Sequence, residues 1–427
     1  MTWGTYTSYK ESGIEWLEKI PEHWEIKKLK HALQFTTGGT PSSGVEDYYN
    51  GEEPWVTIAD MTGKYIEKSH FISKKAIREC NMQIVPKDSL LYSFKLSVGQ
   101  VAFTTQNTYT NEAIASFYPA NNIDLNFWYY VLPVYVIRNA NKNIYGAYLL
   151  NQDLIKNATI IFPPKKEQIK IASFLDEKTT QIDEVIRQKE KLIELLKERK
   201  QIVINEAVTK GLDKTAEFKE SGVEWIGKIP KHWEIVSNRI IFKEKNERGN
   251  KELPIFMVSI HSAVSSEEIS EEENIRGKIR IEDKSQYKMV DRNDIVFNMM
   301  RAWQGAIGAV KATGLVSPAY IVATANESIN TIYFEYLYRT SVFIQQMDQH
   351  SKGITDFRKR LYWSEFKQLL TVLPPKDEQL QIIMYIDEQT ANIDRAIDLQ
   401  QNYIAKLKEY KATLIDSVVT GKVRVAS

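Results

Sequence analysis

Two long stretches of the chain place apolar residues at a seven-residue spacing. The pattern holds for about five heptads, and the pattern of the first stretch returns 211 residues later in the second. An a/d repeat of this length predicts an amphipathic helix that packs in a coiled coil. At 1.5 Å per residue, each predicted helix is a rod of roughly 60 Å. The residues at the first repeating position are Ala172, Thr179, Ile186, Ile193, Lys200 and Ala207, and then Ile383, Thr390, Ile397, Ile404, Lys411 and Val418.

Polar residues interrupt both apolar seams at matching places. Lys189 occupies the second repeating position near the middle of the first seam, and Gln400 is its counterpart. If the two helices pair antiparallel about a pseudo-twofold axis, Lys189 faces Gln400, Thr179 meets Lys411, and Lys200 meets Thr390. Polar residues at seam positions fix the register of a coiled coil at some cost in stability. The alternative, in which each helix packs on its own globular domain, stays open at this point.

A block rich in tryptophan occurs twice in the sequence. Residues 10–26 and residues 219–235 agree at 13 of 17 positions. Each block is followed by a divergent stretch of mixed short strands, turns and a few helices, and then by Pro-Pro-Lys-x-Glu-Gln at residues 163–168 and 374–379. Proline pairs suit a helix start, because the missing N–H has no partner there in any case. Matching ends around unlike middles indicate one scaffold that carries two different recognition surfaces.

Composition and charge narrow the class of protein. The chain has 427 residues, 43% of them hydrophobic, and a formal net charge of +1. This excludes a strongly basic coat that binds DNA without specificity, because such binding needs many cations to neutralise phosphates. A single cysteine, Cys80, excludes a disulfide framework and a cysteine metal site. With neither a signal peptide nor an apolar run long enough to cross a membrane, we expect a cytoplasmic protein without a membrane partner.

These observations predict an α+β fold with an internal pseudo-twofold repeat. Two mixed α/β domains are expected to be separated and joined by two long antiparallel coiled-coil helices. The predicted segments are a first recognition domain at 1–161, a first long helix and linker at 162–211, a second recognition domain at 212–373, and a second long helix with the C-terminal tail at 374–427.

The order of elements resembles the specificity subunit of type I restriction–modification systems. The resemblance covers essentially the whole chain. It is carried by the two tryptophan blocks, the two Pro-Pro-Lys-x-Glu-Gln helix starts, the segment 294–308 with Arg301-Ala302-Trp303-Gln304-Gly305, and Ser317-Pro318-Ala319-Tyr320. Either helix-start motif alone is weak, but both at fixed spacing with the tryptophan blocks are highly specific.

The resemblance implies a concrete function. Members of this family read a bipartite, asymmetric sequence in double-stranded DNA through two target-recognition domains. Their paired helices measure the unread spacer and dock two methylase subunits, and two restriction subunits can join to form the nuclease. Readers spaced by about one turn of DNA, roughly 34 Å, can reach the same face of the duplex. The resemblance implies no catalysis by this chain alone and no cofactor bound to it, because S-adenosylmethionine, ATP and magnesium are expected on the partner subunits.

Candidate DNA-binding residues are polar or cationic side chains in the loops of the divergent stretches. Arginine and lysine suit guanine, asparagine and glutamine suit adenine, and hydroxyl or cationic groups suit phosphates. Arg301 is the strongest candidate, because it lies between strand-like runs and within the family segment. The full set is Thr40, Ser42, Ser43, Lys64, Ser93 and Lys95 in the first stretch, and His261, Arg301, Gln304, Lys352, Arg358 and Lys359 in the second.

Two other classes of function remain open from the sequence. One is an enzyme with its own methylase or nuclease activity. Against it, the proline pairs follow Phe162 and Leu373 and lack the aromatic residue of an adenine-methylase motif, and no phosphate-binding loop is present. The other is a structural coiled-coil scaffold without DNA contact, which leaves the divergence of the middle stretches unexplained.

Overall fold

The protein forms two compact units, each built from one divergent stretch and parts of both long helices. The computed structural model describes residues 4–95, 97–142, 144, 146, 148–223, 226–249, 252–265, 286–353 and 359–425. The first unit comprises Met1–Gln188 and Asn402–Ser427, and the second comprises Lys189–Gln401. The helices of the described ranges are α1 Lys74–Glu79, α2 Leu125–Tyr135, α3 Gln152–Lys156, α4 Lys165–Lys210, α5 Asn238–Ile241, α6 Thr331–Tyr338, α7 Ser341–His350, α8 Trp363–Phe366 and α9 Lys376–Val419.

Short strands make up the rest of the regular structure. In the first unit they are β1 Tyr9–Ile14, β2 Leu17–Pro21, β3 Glu25–Lys28, β4 Phe35–Thr37, β5 Glu53–Val56, β6 His70–Ile72, β7 Leu90–Ser93, β8 Val101–Phe103, β9 Tyr109–Thr110, β10 Ile114–Phe117, β11 Asn141–Lys142, β12 Tyr148–Leu149 and β13 Thr159–Phe162. In the second they are β14 Phe218–Glu220, β15 Lys228–Pro230, β16 Glu234–Ser237, β17 Phe242–Lys245, β18 Val258–Ser259, β19 Ala263–Val264, β20 Lys288–Val290, β21 Asp294–Asn298, β22 Ile307–Ala309, β23 Gly314–Val316, β24 Tyr320–Ala325 and β25 Leu370–Leu373.

The two units share the same central sheet. In the first unit the four-stranded order is β4-β10-β7-β8, and in the second it is β17-β24-β21-β22. All these pairings are antiparallel. The inner strands β10 and β7 are buried along their whole length, because both faces are covered and every residue is apolar, a tyrosine or a serine. Unlike sequences therefore build the same sheet, and the hairpin β7–β8 corresponds to the hairpin β21–β22.

Each unit buries part of the long helices in its own core. In the second unit Trp233, Phe297, Tyr333 and Phe366 are fully buried, and they cluster with Ile386 of α9. Ala207 and Val208 of α4 belong to the same cluster. Since these residues leave water together with the sheet, the helices are part of the units rather than attachments to them.

The ends of the long helices are set by the motifs around them. α4 starts after Pro163-Pro164 and α9 after Pro374-Pro375, and Gln168 and Gln379 each donate a backbone N–H to the carbonyl of the second proline. Beyond the C-termini, Gly211 and Gly421 have φ of 73° and 75°. This left-handed conformation ends a helix, and glycine adopts it without a steric penalty.

The long helices run antiparallel within each unit. In the second unit the Lys200 Nζ lies 2.7 Å from Asp394 Oδ2, and the Lys189 Nζ lies 2.9 Å from Gln400 Oε1. Moving forward along α4 therefore means moving backward along α9. In the first unit Lys411 pairs with Asp183 at 2.6 Å in the same sense. The predicted α+β fold of two domains with two long antiparallel helices is confirmed, whereas the four-segment division stays a prediction.

The polar contacts between the helices include the predicted central pair and give two lysines partners that the heptads did not predict. Lys189 faces Gln400 as the heptads require, but Lys411 bonds Asp183 rather than Thr179, and Lys200 bonds Asp394 rather than Thr390. Thr179 is instead hydrogen-bonded to the Tyr130 hydroxyl, and Thr390 donates to the Asp387 carbonyl of its own helix. A long lysine side chain extends one turn past the seam to a carboxylate, which is a stronger partner than a hydroxyl.

Candidate nucleic-acid interface

The repeated motifs meet at one carboxylate in each unit. In the first unit Glu167 Oε2 accepts a hydrogen bond from the Trp24 indole at 3.0 Å and lies 2.8 Å from His23 Nε2. Tyr6 donates to Glu167 Oε1 at 2.5 Å. Trp24 is fully buried, so its N–H needs this acceptor. The first tryptophan block is thereby fixed to the first turn of α4.

The second unit repeats this junction with the same distances. Glu378 Oε2 accepts from the Trp233 indole at 3.0 Å and lies 2.8 Å from His232 Nε2. The next residue of the motif also acts alike in both copies. Gln168 accepts from the backbone N–H of Asp124, and Gln379 accepts from that of Asn330.

The repeated motifs therefore form a structural clamp in each unit, in which Glu167 or Glu378 binds the tryptophan and histidine of the block. His23 and His232 have a structural role in these contacts. The sequence analysis did not identify the partners of Glu167 and Glu378, which are more than 140 residues away. The signal was available, because both halves of the clamp recur together at nearly the same spacing. Glu224 and Trp225 of the second block lie outside the described residues.

The second unit brings its strongest DNA-binding candidate to an exposed hairpin. Residues 299–306 connect β21 to β22, and Ala302–Gln304 form a 3-10 turn within them. The Arg301 side chain is exposed, and its Nη1 donates to Gln304 Oε1 at 3.2 Å. Gly305 follows with φ of 92° and reverses the chain. Arg301 and Gln304 thus lie side by side at the tip of a hairpin anchored on both sides by a buried sheet.

The two predicted lysines of the second unit, Lys352 and Lys359, lie next to this hairpin or close behind it. Lys359 Nζ is 5.1 Å from the centre of the Trp303 ring and 2.6 Å from Asp348 Oδ1. Lys352 pairs with Glu365 at 2.5 Å and keeps 69% of its side chain exposed. Both lysines are thus paired with carboxylates of their own unit, and a DNA contact would exchange those carboxylates for phosphates. Arg358, predicted with them, lies outside the described residues.

His261 lies in the turn between β18 and β19. Its side chain is exposed, and its backbone N–H donates to Ser259 Oγ at 3.0 Å. Arg339 contacts the backbone of this turn and that of the Arg301 hairpin, donating to the carbonyls of His261 and Gly305 at 3.0 Å each. Four predicted residues, His261, Arg301, Gln304 and Lys359, are thus brought together. Sequence reasoning missed Arg339, because no local pattern distinguishes it from a surface arginine.

In the first unit the loop that carries the predicted residues Thr40, Ser42 and Ser43 is held in place by aromatic side chains. Thr40, Ser42 and Ser43 are exposed, and Thr40 donates to the Glu112 carboxylate. The Trp55 indole donates to the Gly39 carbonyl at 3.1 Å, and the Tyr49 hydroxyl donates to the Pro41 carbonyl at 2.7 Å. Two aromatic residues therefore fix the backbone and leave the serine hydroxyls accessible.

The hairpin β7–β8 of the first unit occupies the place that the Arg301 hairpin holds in the second. Lys95 is exposed at this hairpin, as predicted for a DNA contact. Ser93 is fully buried. Its hydroxyl donates to the Ser97 carbonyl at 2.6 Å and accepts from the Gln100 N–H at 3.0 Å. The prediction of a DNA contact was wrong for Ser93, because a serine at the end of an inner strand closes the hairpin instead.

Lys64 is also engaged within its own unit. Its Nζ pairs with Asp176 of α4 at 2.5 Å and lies 5.4 Å from the centre of the Tyr129 ring. Asp176 also accepts from the Tyr130 hydroxyl at 2.6 Å. These contacts occur beside a cleft of about 900 Å³ against the long helices. Lys64 thus has a carboxylate partner within its own unit, as Lys359 has, and its DNA contact stays a prediction.

The described residues contain neither a metal-binding cluster nor a membrane-spanning helix. Among them, no three or more histidine, cysteine, aspartate or glutamate side chains are grouped so that they could hold a metal ion. In the same part of the chain, no helix combines the length and the apolar character needed to span a membrane.

Comparisons with known proteins agree with the geometry. Residues 21–195 match the family described as type I restriction modification DNA specificity domain. The chain is 30% identical over 197 residues to the type I restriction enzyme MjaIX specificity subunit of Methanocaldococcus jannaschii, an alignment that covers 44% of each protein. It is 23% identical over 455 aligned positions to the putative MjaX specificity subunit of the same organism, with 98% of each chain covered.

Solved structures share the fold. A chain from a study of complex assembly and conformational transition of the type I R-M system superposes with a TM-score of 0.70 at 13% identity, covering 95% of this chain and 99% of the other. The HsdS subunit from Thermoanaerobacter tengcongensis superposes with a TM-score of 0.55 at 14% identity, covering 97% of this chain and all of that one.

Proposed function

Because this chain belongs to the specificity subunits of type I restriction–modification systems, we propose that it recognises DNA sequence for such an enzyme. Each unit reads one half of a bipartite, asymmetric site in double-stranded DNA. The relatives carry the name of specificity subunits, which recognise DNA and are not catalytic themselves. This chain likewise selects the sequence and leaves the chemistry to its partners.

One observation carries the proposal. Both units present the same central hairpin of the same four-stranded sheet, but with different side chains. Lys95 is exposed there in the first unit, and in the second Arg301 is exposed and Gln304 is partly exposed. The contacts around Glu167 and Glu378 are the same in both units, so the scaffold is constant where the tips vary. A constant scaffold with variable tips suits two different base sequences, since base edges are read by side chains.

The proposed reading assigns roles to individual residues. Arg301 suits the two acceptors on the major-groove edge of guanine, and Gln304 suits adenine. Thr40, Ser42, Ser43, Lys95, Lys352 and Lys359 suit phosphate or base contacts, and His261 lies at the adjacent turn. The chain has a net charge near zero, so these contacts form local patches, and partner subunits supply further binding energy.

We propose that two methylase subunits dock on the long helices and that two restriction subunits can join. Helix residues with large exposed apolar side chains support this, among them Leu195 at 48% and Leu399 at 51% exposure in the second unit and Val185 at 39% in the first. Covering these side chains with a partner would be favourable, because it removes apolar surface from water. S-adenosylmethionine, ATP and magnesium would be held by those partners and would supply methyl transfer and ATP-driven chemistry there.

A reconstitution experiment tests the function. The purified chain, the cognate methylase subunit and their mixture are each incubated with genomic DNA and labelled S-adenosylmethionine. We expect methylation of defined sequences by the mixture only. Methylation or cleavage by the chain alone would favour an enzyme with its own activity. Equal methylation with and without the chain would favour a scaffold that makes no contact with DNA.

A further inference from the structure

One arginine joins the two exposed segments of the second unit that carry candidate reading residues. Arg339 follows the last residue of α6, and its guanidinium donates to five backbone carbonyls. Nη2 bonds Ile260 and His261 at 3.0 Å each, and Nη1 bonds Ser259 at 3.3 Å. Nη1 also bonds Gly305 at 3.0 Å and Ile307 at 3.4 Å. The first three carbonyls belong to the His261 turn and the other two to the end of the Arg301 hairpin.

These bonds do not belong to the scaffold that the two units share. The scaffold contacts come in matched pairs, such as Tyr130 with Asp176 and Tyr336 with Asp387. When α2 and α6 are aligned on their capping residues Asp124 and Asn330, the position of Arg339 corresponds to Pro133. Proline offers no side-chain donor. The Arg339 contacts are therefore part of what distinguishes the second unit.

We propose that Arg339 is a positioning residue that sets the specificity of the second unit by fixing the His261 turn against the Arg301 hairpin. The inference rests on the proposed function. Arg339 acts through backbone geometry, because all five of its acceptors are backbone carbonyl oxygens. The side chains of both segments that would read bases are not used by Arg339. A binding side chain must be held within about 0.5 Å and about 10–20° of its productive geometry, so a shift of either segment changes which base is accepted.

The chemistry of the guanidinium makes this role specific to arginine. It has five donors in a planar fork, whereas lysine has three donors at one point. Lysine at this position can keep the charge and part of the length but cannot span both segments. The guanidinium is also largely buried, and burial lowers its pKa while the Glu335 carboxylate raises it. Replacing Arg339 with lysine keeps the positive charge but loses the forked hydrogen bonds. This variant therefore separates the effect of geometry from the effect of charge.

The test uses the reconstituted complex of the full chain with its methylase. Once the wild-type site has been mapped, initial methylation rates are measured on the cognate duplex and on duplexes with one base pair changed at each read position. The variants are Arg339→Lys, Arg339→Gln and the control Arg239→Gln. Arg239 is exposed, and it donates to Ser237 Oγ at 3.2 Å, so the control makes the same charge change on the same unit.

We expect both Arg339 variants to lose discrimination in one half of the site only. The ratio of cognate to altered rates should fall roughly tenfold or more there, and stay within about twofold in the other half. The Arg239→Gln ratios should match those of the wild type. Unchanged ratios, an equal fall in both halves, or failure of both variants to assemble would overturn the proposal, since each would make Arg339 an ordinary structural residue. A wild-type complex without sequence-selective methylation would instead refute the proposed function before any variant is compared.

Discussion

The carboxylate at the start of α9 offers the sharpest test of the structural clamp. Replacing Glu378 with alanine removes the acceptor of the fully buried Trp233 indole and a partner of His232. A buried donor left without an acceptor costs about 1–3 kcal/mol. A carboxylate in the first turn of a helix contributes about 0.3–1 kcal/mol more. His232 is half exposed and can bond to water, so it adds little. The expected loss is about 2–3 kcal/mol.

This loss is large enough to measure in the full chain. For a cooperative unit of roughly 200 residues, 1 kcal/mol shifts the melting temperature by about 2–4 °C, so Glu378→Ala should melt about 4–12 °C lower. Glu378→Gln keeps a neutral acceptor and should lose about 1 kcal/mol. Glu388→Ala, at an exposed site of the same helix, should stay within about 0.5 kcal/mol. Thermal unfolding followed by circular dichroism gives all four values.

One result would refute the clamp. Suppose that Glu378→Ala has the same melting temperature as Glu388→Ala but no longer binds the methylase subunit. The carboxylate would then serve docking rather than the junction within the unit. Binding of the methylase to each variant should therefore be measured by analytical ultracentrifugation beside the melting curves.

Three further predictions follow from contacts within single units. Ser93→Ala should lower the free energy of unfolding by about 1–2 kcal/mol in a urea titration, because two hydrogen bonds of a buried hydroxyl are lost. The exposed control Ser43→Ala should change this free energy by less than about 0.5 kcal/mol. Equal effects of the two substitutions would show that the Ser93 hydroxyl is not needed. Burial raises the pKa of Glu335, so protonation stabilises the wild type at low pH and this gain is lost as pH rises through the raised value. Glu335→Gln should consequently melt higher than the wild type at pH 8 and alike near pH 4, and a constant difference would contradict the assignment. A disulfide should form under mild oxidation when Lys189→Cys is combined with Gln400→Cys in a Cys80→Ser background. It should not form when Lys189→Cys is combined with Glu388→Cys. Equal crosslinking of both pairs would contradict the register.

The sequence predicted the regular parts of the molecule well, for a physical reason. A heptad pattern repeats one local rule over five heptads, so the long helices follow from it, whereas their antiparallel pairing was a hypothesis that the structure confirms. Lys189 opposite Gln400 required only the assumption of pseudo-symmetry. The partners of Lys200 and Lys411 were missed, because the reach of a flexible side chain decides them and the spacing of Cα positions does not.

The divergent domains were harder to predict. Ser93, Ser42 and Ser43 look alike in sequence, yet Ser93 is buried at the end of an inner strand and the other two are exposed. Burial there depends on how four short strands associate, and those contacts are distant in sequence. The partner of Lys64 was missed for the same reason, since Asp176 is 112 residues away. Arg301 was found because it lies between two recognisable strands, where a hairpin tip is almost inevitable.

Methylation mapping of genomic DNA by the reconstituted complex tests the central claim most directly, when wild type and Arg301→Ala are compared. The account predicts a wild-type site with two specified parts separated by unread bases. Arg301→Ala should relax one base position in one part only, at a cost of about 1–3 kcal/mol in discrimination. A single uninterrupted site, or uniform weakening at every position of both parts, would contradict the claim that two unlike readers share one scaffold.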